Sequence, residues 1–478
     1  MLFPRSLLVS LFLIFLAIGV TQSSELPDLG QSSEVYITPT QEKKLGKIFL
    51  KKIKQKYKII EDPIVVDYIQ SLGERLASNS GSLNKEYSFY VIDNPEINAF
   101  AGPDGLIGIY TGLIFATKAE GELAAILAHE IAHISQRHLI RKLESSGFFS
   151  ISNTGMIIAS GALGFLVDRN AGRAAMIGSQ AALLQKKLAY SRSIEREADR
   201  VSINILADTK FDPRSLPAVF ERIKKKSGSY GSKLPQILLT HPVDDERIAD
   251  AMSRTHKFPY IQRNNELRYE ILLAYLKHKR QINQEISLNL INDQLREGKY
   301  RNRSAKELQK VLTLQQIGKF RDAENIIKNL ISKHPNVTEF KIIRALGLAR
   351  SNEVDKALSS LEKAIIFMPV NYSMNMTLAE IAISRKRFKF ALKHLERYQS
   401  INPNTPQIYQ LIAQAQSGLG NLFKAYTNNA KYKYLTGDLA SAIQQQEYAL
   451  TNFNADFHDL TKAESKLREY KEELKLKK

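Results

Sequence analysis

The spacing of apolar residues divides the chain into two parts with different secondary structure. The first part mixes helical and alternating patterns: Gln41–Lys58 and Pro63–Leu76 have helical periodicity, and Glu86–Ile92 alternates as a strand does. Two short strands follow, joined by the turn Gly102–Gly105, and the second of them, Leu106–Tyr110, precedes a helix. This order of elements predicts an α+β domain that is mainly helical and has one small sheet.

The second part repeats with a period of 34 residues. Prolines recur at that interval, and so do an alanine and the larger apolar residue three positions before it. The three classes are Pro335, Pro369 and Pro403; Ala323, Ala357, Ala391 and Ala425; and Phe320, Val354, Phe388 and Leu422. This pattern resembles the tetratricopeptide repeat, in which helix pairs stack into a superhelix with a concave binding face. We therefore expect an all-α superhelix over residues 303–478, with a half-unit out of step near Gly437, after a helical linker over residues 261–302.

The segment His129-Glu130-Ile131-Ala132-His133 combines two imidazoles and a carboxylate on one predicted helix. Positions four residues apart lie on the same helical face, so His129 and His133 can bind one metal ion. Glu130 is rotated by about 100° from His129, which suits a general base better than a ligand. The flanking residues are apolar, and burying unsatisfied imidazoles among them would be costly, which favours a metal site over an ordinary histidine pair.

A catalytic zinc site needs a third protein ligand, and the chain has no cysteine to supply it. His138 is one residue out of register with the third histidine of the metzincin arrangement, and we predict it to be a surface residue of the helix. Glu195 is the better candidate. Asp199 is one turn further on the same helical face, able to accept the free ring N–H of a ligating histidine, whereas Glu197 points the other way. A solvent-exposed charged helix remains the alternative for this segment.

The N-terminus and the net charge bear on the compartment and the partners. Arg5, the apolar run Leu7–Val20 and the small residues after it predict a signal peptide over residues 1–24, with an uncleaved membrane anchor as the alternative. An exported chain without cysteines fits a bacterial envelope. The net charge of +19 favours anionic membrane surfaces, and no motif for nucleic acid accompanies it. The apolar segment Met156–Val167 is too short to span a bilayer and predicts a buried or surface-lying helix.

In combination, these motifs resemble the M48 family of zinc metallopeptidases. The segments that carry the resemblance are His129–His133, Ser191–Asp199, Asn98–Ala101, Tyr110–Ile114 and Leu239–Pro242. The resemblance implies a peptidase domain over residues 25–260, one zinc ion bound by His129, His133 and Glu195, and Glu130 as the base that takes a proton from the attacking water. His241 then either stabilises the oxyanion or occupies the open metal position and keeps the enzyme latent.

The order of export signal, peptidase domain and repeats is similar to that of periplasmic members of this family in Gram-negative bacteria. The similarity implies cleavage of misassembled outer-membrane β-barrel precursors, a possible chaperone-like activity, and docking of the repeats on the β-barrel assembly machinery. The strand Leu106, Ile107, Gly108, Ile109 and Tyr110 is predicted to bind an extended substrate by β-augmentation. Two other classes stay open: a periplasmic adaptor or chaperone whose metal site is mainly structural, and a protein of anionic lipid surfaces.

Overall fold

A computed structural model describes residues 37–81, 86–145, 192–229, 235–261 and 266–475. The chain is mainly helical with one three-stranded sheet, so the predicted fold class is confirmed. The predicted signal peptide and the apolar segment Met156–Val167 lie outside the described residues. Within the described ranges, no helix has the length and apolar character that a membrane crossing requires.

The sheet consists of three short strands: β1 (Ser88–Ile92), β2 (Ala99–Ala101) and β3 (Leu106–Tyr110). β3 lies in the centre, parallel to β1 and antiparallel to β2, and all of its residues are buried. Both edges of β3 are therefore hydrogen-bonded within the sheet, and a central strand has no free backbone groups to offer a further strand. The prediction that an extended substrate pairs with Leu106, Ile107, Gly108, Ile109 and Tyr110 is wrong for this reason.

The two outer strands differ in how far they are covered. On β1, the Ile60 amide donates to the Val91 carbonyl at 2.8 Å, and the Asp93 amide next to the strand donates to the Lys58 carbonyl at 2.9 Å. β2 has no partner strand on its outer side in the part of the chain that the structure describes. The open edge of the sheet is therefore β2.

Helices surround the sheet, and one of them is buried at almost every position. They are α1 (Pro39–Lys56), α2 (Pro63–Ala77), α3 (Thr111–Ala116), α4 (Glu120–Ser135), α5 (His138–Ser145), α6 (Arg192–Asp208), α7 (Ser215–Ser229), α8 (Gln236–Thr240) and α9 (Asp245–Thr255). The buried helix is α4, because α2, α6, α7 and β2 pack around it. Polar residues on α4 are consequently held away from water.

The helices of the second part follow the predicted period. The second helices of successive pairs, α13 (Phe320–Lys333), α15 (Val354–Phe367), α17 (Phe388–Ile401) and α19 (Leu422–Leu435), begin 34 residues apart. The first helices α14 (Thr338–Arg350), α16 (Tyr372–Ser384) and α18 (Pro406–Gly418) also begin 34 residues apart, and α12 (Arg303–Gln316) begins 35 residues before α14. The alanines of the repeat pattern are buried, as expected where helices pack closely. α20 (Leu439–Asn452) begins 17 residues after α19, at the predicted half-unit, and α21 (Phe457–Lys475) follows it.

The predicted linker contains α10 (Leu267–Lys279) and α11 (Gln284–Arg296). α10 packs against α2 on one side and α12 on the other, and Tyr269–Leu276 is buried throughout. One continuous cluster of buried side chains runs from Ile64 to Ala415. α10 is therefore part of a core that the two parts share, and not a spacer between them.

Arg268 joins the two parts through two carboxylates that are more buried than it is. Its Nη2 lies 3.1 Å from Asp67 Oδ2 on α2, and its Nε lies 2.7 Å from Glu339 Oε1 on α14. Burial raises the pKa of Asp67, and the Arg268 guanidinium opposes that rise. The guanidinium therefore offsets part of the cost of burying acidic groups at the junction.

We expect Arg268→Met to lower the free energy of unfolding by about 2–3 kcal/mol near pH 8. This is below the loss for a fully buried pair, because the Arg268 side chain is 35% exposed. A carboxyl with a raised pKa is destabilising once it ionises, so the loss should be smaller near about pH 5 than near about pH 8. Urea denaturation at both pH values measures this loss in the free energy of unfolding. Arg303→Met, which breaks an exposed pair with Glu307, is the matched control, and an equal effect of the two variants would contradict the account.

Candidate metal centre

Three elements bring the predicted site residues together. α4 supplies His129, Glu130 and His133, α6 supplies Glu195, and His241 follows the end of α8. His129 Nε2 and His133 Nε2 are 3.0 Å apart, and the Glu195 carboxylate oxygens lie 3.4 Å from the first and 3.5 Å from the second. His129, His133, Glu195 and His241 each present one ligand atom within 4.8 Å of the others. The spacing of four residues on α4 and the distant acidic segment thus converge on one point.

The chemistry of the site fits a divalent cation. In the part of the chain that the structure describes, the residues of the site are at most 5% exposed, and they include three carboxylates, Glu130, Glu195 and Asp199, but only one permanently charged cation, Arg247. Glu130 is fully buried, and the Ala101 backbone provides a hydrogen bond that favours its ionised form. Burying excess negative charge is costly unless a cation compensates it. Two imidazole nitrogens and a carboxylate facing one point are the ligand types that zinc takes in catalytic sites.

Asp199 lies behind His129, where the sequence places it. Its Oδ1 is 3.0 Å from His129 Nδ1, on the side of the ring opposite the ligand group. A carboxylate in this position accepts the Nδ1–H, which leaves Nε2 as the lone-pair nitrogen that faces the site. Glu195 and Asp199 of α6 therefore have different partners, since Glu195 faces the centre and Asp199 fixes the ring behind it.

Arg247, at the start of α9, is a site residue that the motif analysis misses. Its guanidinium contacts Glu195 Oε2 and Asp199 Oδ2, both at 2.6 Å, and donates to the Pro242 carbonyl at 2.9 Å. The Asp244 side chain caps α9 by accepting from the Arg247 amide at 2.8 Å. A count of charges would have indicated such a residue, because carboxylates predicted to be buried on α4 and α6 require a cation.

The buried charges shift the pKa values of the site in opposite directions. Burial disfavours the charged form of His129, but hydrogen bonds to Asp199 and Glu195 outweigh it and raise the pKa of His129 to about 9. Burial and the neighbouring His129 charge hold the pKa of His133 well below its usual value. Burial raises the pKa of Glu130, whereas His241 and Arg247 overcome burial and lower the pKa of Glu195. Neighbouring carboxyls with opposite shifts are typical of sites that use acid–base chemistry.

His241 lies against two of the three carboxylates of the centre. Its Nδ1 is 3.0 Å from Glu195 Oε1, and its Nε2 is 3.7 Å from Glu130 Oε1. The backbone turns sharply here, since α8 ends at Thr240 and Pro242 follows. The loop thereby presents the imidazole to the ligand group rather than to solvent.

His138 is not the surface residue that the sequence predicts. It is fully buried, and its Nδ1 lies 2.9 Å from His133 Nδ1. The prediction assumed that α4 continues, which would put His138 on another face. Instead α4 ends at Ser135, Arg137 adopts a left-handed backbone with φ of 53°, and α5 begins at His138. This turn returns the ring to the outer side of His133, so His138 is outside the ligand group but in contact with it.

A buried His-Glu-x-x-His helix with a distant acidic residue defines a metal-dependent peptidase. The description "Peptidase family M48" matches residues 63–255. A putative beta-barrel assembly-enhancing protease of Vibrio cholerae is 30% identical over 430 residues, covering 90% of this chain and 88% of that protein. The chain belongs to peptidase family M48 and is a metalloendopeptidase.

Two further relatives differ in how much of the chain they match. The beta-barrel assembly-enhancing protease of Yersinia pestis is 29% identical over 424 residues, which cover 87% of this chain and 86% of that protein. The mitochondrial metalloendopeptidase OMA1 of Schizosaccharomyces pombe is 29% identical over 181 residues, which cover 38% of this chain and 50% of that protein. The similarity to the bacterial proteins therefore extends well beyond the peptidase region into the helical repeats.

The raised pKa of His129 predicts that metal binding releases a proton. Below about pH 9 the metal-free ring holds a proton that must leave before the ring can ligate, so zinc binding near about pH 7.5 should release about one proton from this group. Calorimetric titration in buffers with different ionisation enthalpies measures the number of protons released. Asp199→Asn removes a hydrogen bond that raises the pKa and should release fewer protons. Equal release by both proteins would contradict the assignment of the raised pKa to Asp199.

Proposed function

We propose that this chain is a periplasmic zinc endopeptidase that cleaves misassembled outer-membrane β-barrel proteins. The observation that carries the proposal is the convergence of His129, His133 and Glu195 in a buried site with excess negative charge. Support for the substrate class comes from relatives of nearly full length that are named beta-barrel assembly-enhancing proteases. The signal peptide predicted over residues 1–24 supports the compartment.

Within the proposal, His129, His133 and Glu195 hold one zinc ion, and Asp199 orients His129. Bound there, zinc would supply Lewis-acid polarisation of the scissile carbonyl and make a water more acidic. Glu130 takes the proton of the attacking water and delivers it to the leaving amine. Its raised pKa suits this role, because burial makes the carboxylate a stronger base than one in water. Arg247 keeps Glu195 ionised and in place, so that the carboxylate is available as a ligand.

His241 could stabilise the oxyanion or occupy the open metal position. Its location supports the second role, which would keep the enzyme latent. The imidazole lies among the ligand atoms and against Glu130, so it occupies space that an incoming substrate needs. In this arrangement His241 would be a fourth ligand that keeps the resting enzyme inactive. Opening the site then requires the loop after α8 to move, which frees the same ring to stabilise an oxyanion.

Substrate binding is assigned to the open edge of the sheet and to the repeats. β2 contacts α4, the helix that carries the catalytic base, so a segment paired with β2 would lie beside the centre. Chains that have failed to form a barrel expose unpaired strands, which suit such pairing. The helix pairs with a 34-residue period form a tetratricopeptide-like array, which docks on the β-barrel assembly machinery. The net charge of +19 supports additional attraction to anionic membrane surfaces.

Glu130→Gln separates the peptidase from an adaptor or chaperone with a structural metal. The amide cannot accept the proton of water, so we expect proteolysis of a denatured outer-membrane β-barrel protein to fall by about 100-fold or more. Zinc content and binding of the repeats to partners should stay unchanged, because Glu130 is not a ligand. Product formation and metal content are measured on the same preparation. Full biological activity of the variant would favour the adaptor.

His241→Ala tests latency. If the ring blocks the centre, its removal should accelerate proteolysis several-fold while zinc content stays near one per chain. The assay compares initial rates of cleavage with metal analysis of each protein. His256→Ala is the control, because His256 follows α9, is exposed and is not a member of the ligand group. A rate no faster than that of the unchanged protein, with normal zinc, would exclude the latent-ligand role.

A further inference from the structure

The outer side of His133 contacts a further histidine, whose role rests on the proposed metal centre. His133 turns Nε2 toward His129 and Glu195, which leaves Nδ1 on the far side of the ring. Nδ1 lies 2.9 Å from His138 Nδ1, and His138 Nε2 lies 3.2 Å from Glu197 Oε2. Three side chains therefore form a line that leads from the ligand group to a carboxylate at the protein surface.

The hydrogen positions along this line are fixed by the chemistry of its two ends. A carboxylate accepts, so His138 donates through Nε2–H to Glu197. A neutral imidazole with its hydrogen on Nε2 has a lone pair on Nδ1, and His138 Nδ1 therefore accepts from His133 Nδ1–H. His133 is then left with its lone pair on Nε2, the atom that faces the centre. Both rings are neutral in this arrangement, and every polar atom of the line has a partner.

The two ligand histidines are thus oriented by different means. His129 reaches a carboxylate directly, since Asp199 Oδ1 lies 3.0 Å from its Nδ1. On His133 the corresponding position is taken by a histidine, since His138 Nδ1 lies 2.9 Å from its Nδ1. The left-handed turn at Arg137 makes this contact, because a continuous helix would rotate His138 about 140° away from His133.

Glu197 completes the line from the face of α6 that points away from Glu195. Its carboxylate also lies 3.4 Å from Arg141 Nη2, so an arginine holds it at the surface. A carboxylate oxygen between an imidazole N–H and a guanidinium accepts from both. α6 contributes to both histidines of α4: Asp199 to one directly, and Glu197 to the other through His138.

We propose that His138 is a positioning residue that, backed by Glu197, sets the tautomer and orientation of the metal ligand His133. Outer partners of metal-ligating histidines contribute about 10–100-fold to metal affinity. His138→Phe keeps a buried ring but has no acceptor for His133 Nδ1–H. We expect it to weaken zinc binding by about 10–100-fold. The measurement is the zinc dissociation constant of the full-length protein in competition with a chelator.

His138→Asn is the conservative variant. The asparagine amide oxygen is as many bonds from Cα as histidine Nδ1, so it can accept from His133 Nδ1–H in the same place. We expect it to recover most of the affinity that His138→Phe loses, which a merely structural role would not do. Glu197→Gln keeps the outer acceptor without its charge, and we expect a smaller loss of the same sign. It also provides a test if His138→Phe fails to fold.

His394→Phe is the matched control, because His394 is also buried and lies 3.2 Å from a glutamate, Glu362, but in the repeats. It should change thermal stability without changing zinc affinity. Wild-type affinity of His138→Phe, or equal weakening by His138→Phe and His138→Asn, would overturn the inference. Absence of stoichiometric zinc from the unchanged protein would instead overturn the proposed function on which it rests.

Discussion

More negative than positive charge is buried around α4 and α6, and the structure depends on how this charge is compensated. Glu130, Glu195 and Asp199 are almost fully enclosed, and Arg247 is the one permanently charged cation among the described residues that contact them. Desolvating carboxylates costs several kcal/mol each without compensation, in order of magnitude. A fold that keeps them in place needs the guanidinium, the protonated His129 or a metal ion. These alternatives link folding, protonation and metal binding in one site.

The residues that could be predicted are those fixed by the geometry of a single helix. His129 and His133 share a face because they are four residues apart, and Glu195 and Asp199 do so for the same reason. The strands and the 34-residue helical period follow from similarly local patterns. His138 and Arg247 could not be placed in this way. One depends on a left-handed turn that interrupts the helix, and the other on an ion pair between α9 and α6.

The sheet shows the same limit of local information. The turn Gly102–Gly105 identifies β3 as a strand with the observed bounds, but such a local signal cannot tell a central strand from an edge strand. That distinction comes from the pairing of β3 with β1 and β2, which joins segments separated along the chain. The core shared by the two parts also depends on contacts between segments that are far apart along the chain. α10 has ordinary helical spacing, yet its burial between α2 and α12 makes a predicted linker into the packing that joins the two parts.

Metal analysis of the purified protein beside His133→Ala and Glu195→Ala tests the central claim most directly. The account predicts about one zinc ion per chain in the unchanged protein and a large loss in both variants, since each variant lacks one of the three residues that hold the ion. The metal-free variants should still unfold cooperatively, because Arg247 and Asp199 remain paired. Comparable zinc in all three proteins would contradict the account.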